Sequence, residues 1–312
     1  MKKCSIIIRA FNEEKHIGKL IQGIKNQISD FEIEIILVDS GSTDNTRDIA
    51  INEGVKIVDI KPEEFSFGYA LNIGCEVATG DFFIFASAHV YPVYVNWIQK
   101  LLEPFDNDRV ALVYGRQVGD ENSNYSEKRL MHKWFPSVSN YNQQQPFCNN
   151  ANTAIRKSLW LEQKYDETLT GLEDLAWADK IIDKGLHLVY ESQAEIVHIH
   201  EETPKKIFNR YFREAIAYKR IKPYARFTLI DFFSLSVFNI VIDYFYSIKD
   251  RVFFKNIFEI PVFRILQFYG TWKGYHFYGN MNSNLKNRFY YPNNFLRKQK
   301  RKIIEAPKIE YK

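Results

Sequence analysis

Ile33-Glu34-Ile35-Ile36-Leu37-Val38-Asp39-Ser40-Gly41-Ser42-Thr43-Asp44-Asn45-Thr46 is the stretch whose reading decides the fold. Its apolar run reads as a buried strand that ends in a polar turn with a carboxylate at the tip. Gly41 frees the turn, and Asp44 stands where it would cap the helix predicted from Thr46 to Glu53. Open α/β sheets bind ligands outside the carboxyl ends of their strands, which gives Asp39 two readings, a ligand-binding carboxylate or a turn closer.

Working outward, Cys4-Ser5-Ile6-Ile7-Ile8-Arg9-Ala10 reads as a first buried strand. Phe11-Asn12-Glu13-Glu14 turns it into a helix whose Ile17, Leu20, Ile21 and Ile24 recur at helical spacing, ended by Asn26-Gln27. Beyond Gly54, Val55 to Ile60 predicts a third strand and Phe65 to Ala78 a helix. Gly80-Asp81 then turns into the continuous apolar strand Phe82 to Ala86. This β-α alternation predicts an α/β fold with a mostly parallel central sheet flanked by helices. Residues 116 to 148 are polar, with Gln143-Gln144-Gln145-Pro146 marking a long loop that would suit an acceptor-contacting element.

At 312 residues the chain can bury one large core and carry a smaller appended region. Cys4, Cys75 and Cys148 are widely spaced and odd in number, which predicts neither a disulfide framework nor a thiolate metal site. The N-terminal apolar run is broken by Arg9, Asn12 and Glu13, too short for a signal-peptide core, so a cytoplasmic location is expected. A net charge of +4 hides an asymmetry, because residues 205–312 carry 22 Lys and Arg against 7 Asp and Glu. That region opens with Thr203-Pro204, a helix start, and sets Ile207, Phe208, Tyr211, Phe212, Ala215 and Tyr218 on one side with basic residues elsewhere. The uncharged stretch from Phe232 to Ile242 is too short to span a bilayer but compatible with an interfacial position, the alternative being a helix packed on protein. The closing run Arg297-Lys298-Gln299-Lys300-Arg301-Lys302 reads as a solvated end with anionic lipid as its best partner. No nucleic-acid-binding motif occurs, so membrane contact is the expectation and nucleic acid is not.

Ile8-Arg9-Ala10-Phe11-Asn12-Glu13, Val38-Asp39-Ser40-Gly41-Ser42-Thr43-Asp44-Asn45-Thr46, Asn72-Ile73-Gly74 and Thr79-Gly80-Asp81 together resemble the family 2 glycosyltransferases of GT-A fold, over roughly residues 4 to 200. The resemblance implies a GT-A catalytic domain at 1–204 and a helical basic, aromatic tail at 205–312 that associates with membrane or dimerises. It implies an inverting transfer of sugar from a nucleoside diphosphate sugar, UDP favoured and dTDP the alternative, to a hydroxyl of a glycan or polyprenyl-linked glycan acceptor in surface polysaccharide synthesis. The enzyme would sit peripherally on the inner face of the cell membrane.

Gly171-Leu172-Glu173-Asp174-Leu175-Ala176-Trp177 looks like the family's Glu-Asp motif, which makes Asp174 the base for the acceptor hydroxyl and Glu173 an acceptor ligand. On its own, the pair would also suit the positive end of a helix dipole. By the same resemblance Ala10, Phe11, Asn12, Glu13, Asp39, Ser40, Gly41, Asn72, Ser87, Ala88, Asn150, Asn152 and Arg156 are nucleotide-sugar contacts, Asp39 recognising the base. For the asparagines, capping and turning is the plainer reading.

The chain departs from the pattern where the family commonly carries Asp-x-Asp, since that place reads Ser87-Ala88-His89. Either His89 replaces the carboxylate as ligand to a divalent cation, Mn or Mg, although imidazole suits Mn, Zn or Fe better than Mg, or it donates to phosphate without metal. Strand alternation sets His198 and His200 on one face, and at least one of them is expected to serve metal or phosphate. An inactive sugar-nucleotide-binding protein of the same fold is the rival reading. A nucleotidyltransferase lacks its Gly-rich loop here, and neither a dinucleotide fingerprint nor a P-loop occurs.

Overall fold

The computed structural model describes residues 2–200, 202–279, 285, 289 and 290. Strand β1 (Lys3–Ala10) leads through helix α1 (Ile17–Lys25) to β2 (Glu32–Asp39), and α1 buries Ile17, Leu20, Ile21 and Ile24 against the sheet. Each of these side chains removed from water contributes roughly 1.5–3 kcal/mol. Then come α2 (Thr46–Asn52), β3 (Lys56–Asp59), α3 (Phe67–Val77) and β4 (Phe82–Ser87). The β1–β2, β2–β3 and β1–β4 pairings are all parallel. Gly74 of α3 lies so close to the strands that a Cβ there would sit 2.5 Å from Ile7 Cγ2 and 3.0 Å from Val38 Cγ2.

Beyond β4 the sheet becomes mixed. The short β5 (Val90–Pro92), α4 (Trp97–Leu102), β6 (Val110–Gly119), α5 (Tyr125–Trp134), β7 (Asn140–Gln143), β8 (Asn152–Arg156), α6 (Lys157–Glu162), α7 (Glu173–Asp183) and β9 (His187–His198) follow. Among the described residues the strand order is β3-β2-β1-β4-β8-β6-β9-β5, with β7 also on β9. β8 enters antiparallel to β4 and β6, whereas β6 and β9 are parallel. The expected α/β sheet flanked by helices is therefore present, parallel through β1–β4 and mixed beyond. The polar stretch 116–148 is not one loop: it completes β6 and forms α5 and β7.

Helix α8 (Pro204–Ile221), capped by Thr203, is followed by α9 (Leu229–Lys249), the single turn α10 (Phe253–Asn256) and α11 (Glu259–Tyr275). No break in packing falls at 204/205, because residues up to Phe277 form one compact unit in which Leu130 of α5 clusters with Ile207, Tyr211 and Phe263. Residues from Tyr278 onward form a second unit, and the basic run 297–302 lies outside the described residues.

Candidate active site

The registers bring the carboxyl ends of three strands to one edge, with Ala10 opposite Asp39 and Arg9 opposite Ser87. Asp39 is buried there, and its Oδ2 accepts from Gly41 N and Ser42 N, both at 3.0 Å. The turn depends on Gly41, which has φ +90°, and a Cβ there would meet Pro62 Cγ at 2.8 Å. Asp39 Oδ1 is buried without a hydrogen-bond partner, an acceptor left open at the sheet edge. Asn12, at φ 56°, latches the β1 turn to the β2 turn, since its Oδ1 accepts from Thr43 N at 2.7 Å and its N donates to Ser42 Oγ at 2.9 Å. Ser40 donates to Ala10 O, so Ala10, Asn12, Ser40 and Gly41 shape one continuous rim beside half-buried Phe11. Asp44 does serve the start of α2, accepting from Thr46 N at 3.0 Å.

On the far side of Arg9 stands the carboxylate pair. Arg9 Nη1 lies 3.1 Å from Glu173 Oε1, and Asn150 donates its N to Asp174 Oδ2 at 3.0 Å. Glu173 and Asp174 open α7 after Leu172, which adopts the left-handed conformation at φ 57°. That conformation is unfavourable for a branched side chain and is held here by its surroundings. Burial, followed by the neighbouring Glu173 charge, pushes the Asp174 carboxyl up from 3.8 to about 7, against the opposing effects of the Asn150 and Leu175 N–H groups and Arg9. A carboxyl so tuned exchanges a proton near neutrality.

Three histidines meet at a second cluster. One ring nitrogen from each of His89, His198 and His200 lies within 4.8 Å of the others, and His198 Nε2 is 2.9 Å from His200 Nε2. Each Nδ1 faces an oxygen at 2.8 Å: Glu13 Oε1 for His89, Gln117 Oε1 for His198 and Glu127 Oε1 for His200. A ring nitrogen against an acceptor carries the hydrogen, so in the neutral rings every Nε2 presents a lone pair. Two such lone pairs at 2.9 Å repel unless a proton or a metal cation stands with them. Oxygen-anchored imidazoles are the arrangement that metal-ligating histidines adopt, and an all-imidazole set suits Mn, Zn or Fe better than Mg. Burial, then the neighbouring His200 and His89, hold the His198 ring well below its ordinary value and so keep it neutral. The residues present fit a divalent cation.

Several expected contacts serve the fold instead. Asn72 is buried and saturated, donating to Tyr165 O and Glu167 Oε1 while accepting from Trp160 Nε1 and Tyr165 N. Asn152 is likewise used up by Trp97 Nε1, Arg116 O and Ala194 O. Arg156 lies at the opposite end of β8, four residues or about 13 Å from Asn152, where it binds the carbonyls of Phe105, Asn107 and Val110. The Ala88 methyl is in the core, and only half-buried Ser87 keeps a side chain near the edge. Asn150 stays at the carboxylates and Glu13 becomes an anchor for His89.

Motif reading passed over Arg9, Gln117, Glu127, Arg210 and Arg213. Glu127 is buried between His200 and Arg210 Nη2, the latter at 2.7 Å. Arg9 and Arg213 take the two guanidinium positions on the Phe67 ring, at 4.9 and 4.6 Å, with Arg213 Nε buried and without a partner. The one signal available was Arg9, a charge inside an otherwise apolar strand.

Comparison with known proteins gives the family and the fold. Residues 5–170, just over half of the chain, match the family described as Glycosyl transferase family 2. The O-antigen chain rhamnosyltransferase WbaN of Salmonella anatum is 30% identical over 57% of this chain, a match that spans 60% of the relative's length. RfbN of Salmonella typhimurium, also an O-antigen chain rhamnosyltransferase, is 27% identical over 67% of this chain and 70% of its own. Among solved structures, the mannosyltransferase PcManGT from Pyrobaculum calidifontis, in complex with GDP-Man and Mn²⁺, shares the fold with TM-score 0.63 at 13% identity, over 87% of this chain and 85% of its own. Glucosyl-3-phosphoglycerate synthase from Mycobacterium tuberculosis, in complex with Mn²⁺, UDP and glucosyl-3-phosphoglycerate, does so with TM-score 0.53 at 19% identity, over 72% of this chain and 81% of its own. With a family match over more than half of its length and a sheet of the GT-A kind, the chain belongs to glycosyltransferase family 2.

Proposed function

We propose that this chain transfers a sugar, with inversion, from a nucleoside diphosphate sugar to a hydroxyl of a glycan or polyprenyl-linked glycan acceptor during surface polysaccharide synthesis at the cytoplasmic membrane face. The observation that carries the reading is Asp174, a buried carboxyl brought to about 7 beside Glu173 and Asn150 at the ligand edge of the sheet. Asp174 takes the proton of the acceptor hydroxyl as it attacks, and Glu173, held by Arg9, orients that hydroxyl. The open Oδ1 of Asp39 accepts the ring N–H of uracil or thymine. The relatives' names put rhamnose first among the sugars to test.

His89, His198 and His200 would hold a divalent cation, Mn being favoured over Mg by the donor set. When bound, that ion neutralises charge on the leaving diphosphate. Glu13, Gln117 and Glu127 keep the three rings aimed.

Calorimetric titration with UDP and dTDP, each with Mn²⁺ and with EDTA, is the test, repeated on His89→Ala. Metal-dependent binding that the variant loses supports the reading. Binding indifferent to EDTA would assign the histidines to phosphate alone, and no binding of either nucleotide would sink the transferase.

A further inference from the structure

Helix α9 is amphipathic in the sense opposite to an ordinary surface helix. Ile230, Phe233, Val237, Val241, Phe245 and Ile248 recur at helical spacing and every one is more than half exposed, Ile230 at 79%. Ser236, Asp243 and Ser247 occupy the buried face. The apolar stripe continues past the helix end into Phe254 and Phe258, exposed at 87% and 81%. Single exposed apolar side chains are ordinary, whereas a contiguous stripe along a helix about 31 Å long marks a surface that something covers.

We infer that this stripe is a membrane-docking face, with α9 lying in the plane of an anionic leaflet and its apolar side sunk among the acyl chains. Two observations decide between that occupant and others. Exposed cations stand at both ends of the stripe, Arg226 before it and Lys249, Arg251 and Lys255 after it. Pairing two copies in parallel through the stripe sets Lys249, Arg251 and Lys255 against their own counterparts, whereas anionic headgroups complement that end. Asp231 and Asp250, hydrogen-bonded to Thr228 N and Tyr125 Oη, keep their charge, and at the far end Lys249, Arg251 and Lys255 outnumber Asp250. Lys249 Nζ lies 4.4 Å over the Phe245 ring, placing a charged head beside an apolar body as interfacial lysines do.

By length and composition α9 could also cross a bilayer. Its inner face argues for lying flat: Asp243 Oδ2 accepts from Ser126 Oγ at 2.6 Å and from Arg264 Nε at 2.7 Å, both groups being buried. Crossing would strip Asp243 of both partners in a medium that cannot replace them. The uncharged eleven-residue stretch read from sequence is thus the middle of a 21-residue interfacial helix. Ser126 holds α9 while the next residue, Glu127, holds His200, so one helix separates the docking face from the histidine cluster. This deepens the lipid-linked acceptor of the proposed reaction, which would reach the site from the same leaflet.

The test is flotation of the 312-residue chain with vesicles of phosphatidylcholine alone or mixed with phosphatidylglycerol, with nucleotide titration run in parallel. Wild type should float with the anionic vesicles. Val237→Glu combined with Val241→Glu should lower the floated fraction at least about tenfold, with circular dichroism and nucleotide binding unchanged. Lys249→Glu combined with Lys255→Glu should erase the preference for anionic lipid. The inference is overturned if wild type stays with the unbound protein, if the Val variant floats as wild type does, or if sedimentation shows a dimer that the Val variant dissolves while vesicles bind neither form. Flotation without nucleotide binding would count against the transferase reading alone.

Discussion

Asp174 and Glu127 are both buried, one at the carboxylate pair and one at the histidine cluster, and they differ in company. Asp174 has a second carboxylate beside it, and burial drives its pKa up to about 7. Glu127 is also penalised by burial, but Arg210 and His200 flank it and carry it well below the ordinary carboxylate range. The same side-chain chemistry at similar depth thus yields one group that trades a proton near neutrality and one that holds a fixed negative charge. The first arrangement suits a base. The second suits an anchor that fixes a ring and its tautomer.

The sharpest way to break the comparison is Asp174→Asn. If Asp174 is the base, transfer should fall by about a hundred- to ten-thousand-fold with nucleotide affinity unchanged. In wild type, kcat/KM should drop as pH falls below about 7 and the base becomes protonated. Stability should move the other way. A carboxyl whose folded pKa lies above its unfolded value of 3.8 contributes stability that is complete below that value and lost as pH rises through about 7. Removing the ionisable group should therefore stabilise the protein at pH 8 by on the order of 4 kcal/mol, and by nothing near pH 3. Denaturant melts at the two pH values check this; a variant that unfolds more easily at pH 8 would make Asp174 a structural group.

Glu127→Gln probes the other member, with a smaller expected effect. The amide can still accept from His200 but brings no charge to it, so Mn²⁺ affinity should weaken about 10–100-fold. Manganese titration followed by electron paramagnetic resonance reads it directly. Unchanged affinity would leave Glu127 as a partner of Arg210 and nothing more.

These two carboxylates were not equally legible. Asp174 sits in a contiguous motif, and the strands that position it follow from apolar runs whose neighbours are local in sequence. His198 and His200 announce themselves through a spacing of two. Glu127 lies in Tyr125-Ser126-Glu127-Lys128-Arg129-Leu130-Met131, where only Leu130 and Met131 mark a buried apolar side, and its partners are 73 and 83 residues away. Asn72, Asn150 and Asn152 make the same point from the other direction: three identical side chains, of which only Asn150 faces the carboxylates, because tertiary neighbours consume the amides of the other two. Residue type near a motif locates a site, and packing decides which member is left to act.

The smallest effect concerns how the two groups are held. Glu127 belongs to the first turn of a helix entered through ordinary backbone at Asn124, whereas the Glu173-Asp174 pair follows Leu172 in the left-handed region. That conformation costs a non-glycine residue about 1–2 kcal/mol. Leu172→Gly relieves it but adds the entropy of glycine, about 0.5–1 kcal/mol, and gives up the partial burial of the leucine side chain. Net stability should change by less than about 1 kcal/mol, while kcat falls several-fold because the entry to α7 no longer fixes where the two carboxylates point. Thermal melting and turnover measured on the same preparation separate the two effects. A large loss of stability with kcat intact would mean that Leu172 is retained for packing, and the strained entry would then contribute nothing to the difference between the proton-exchanging carboxyl and the anchoring one.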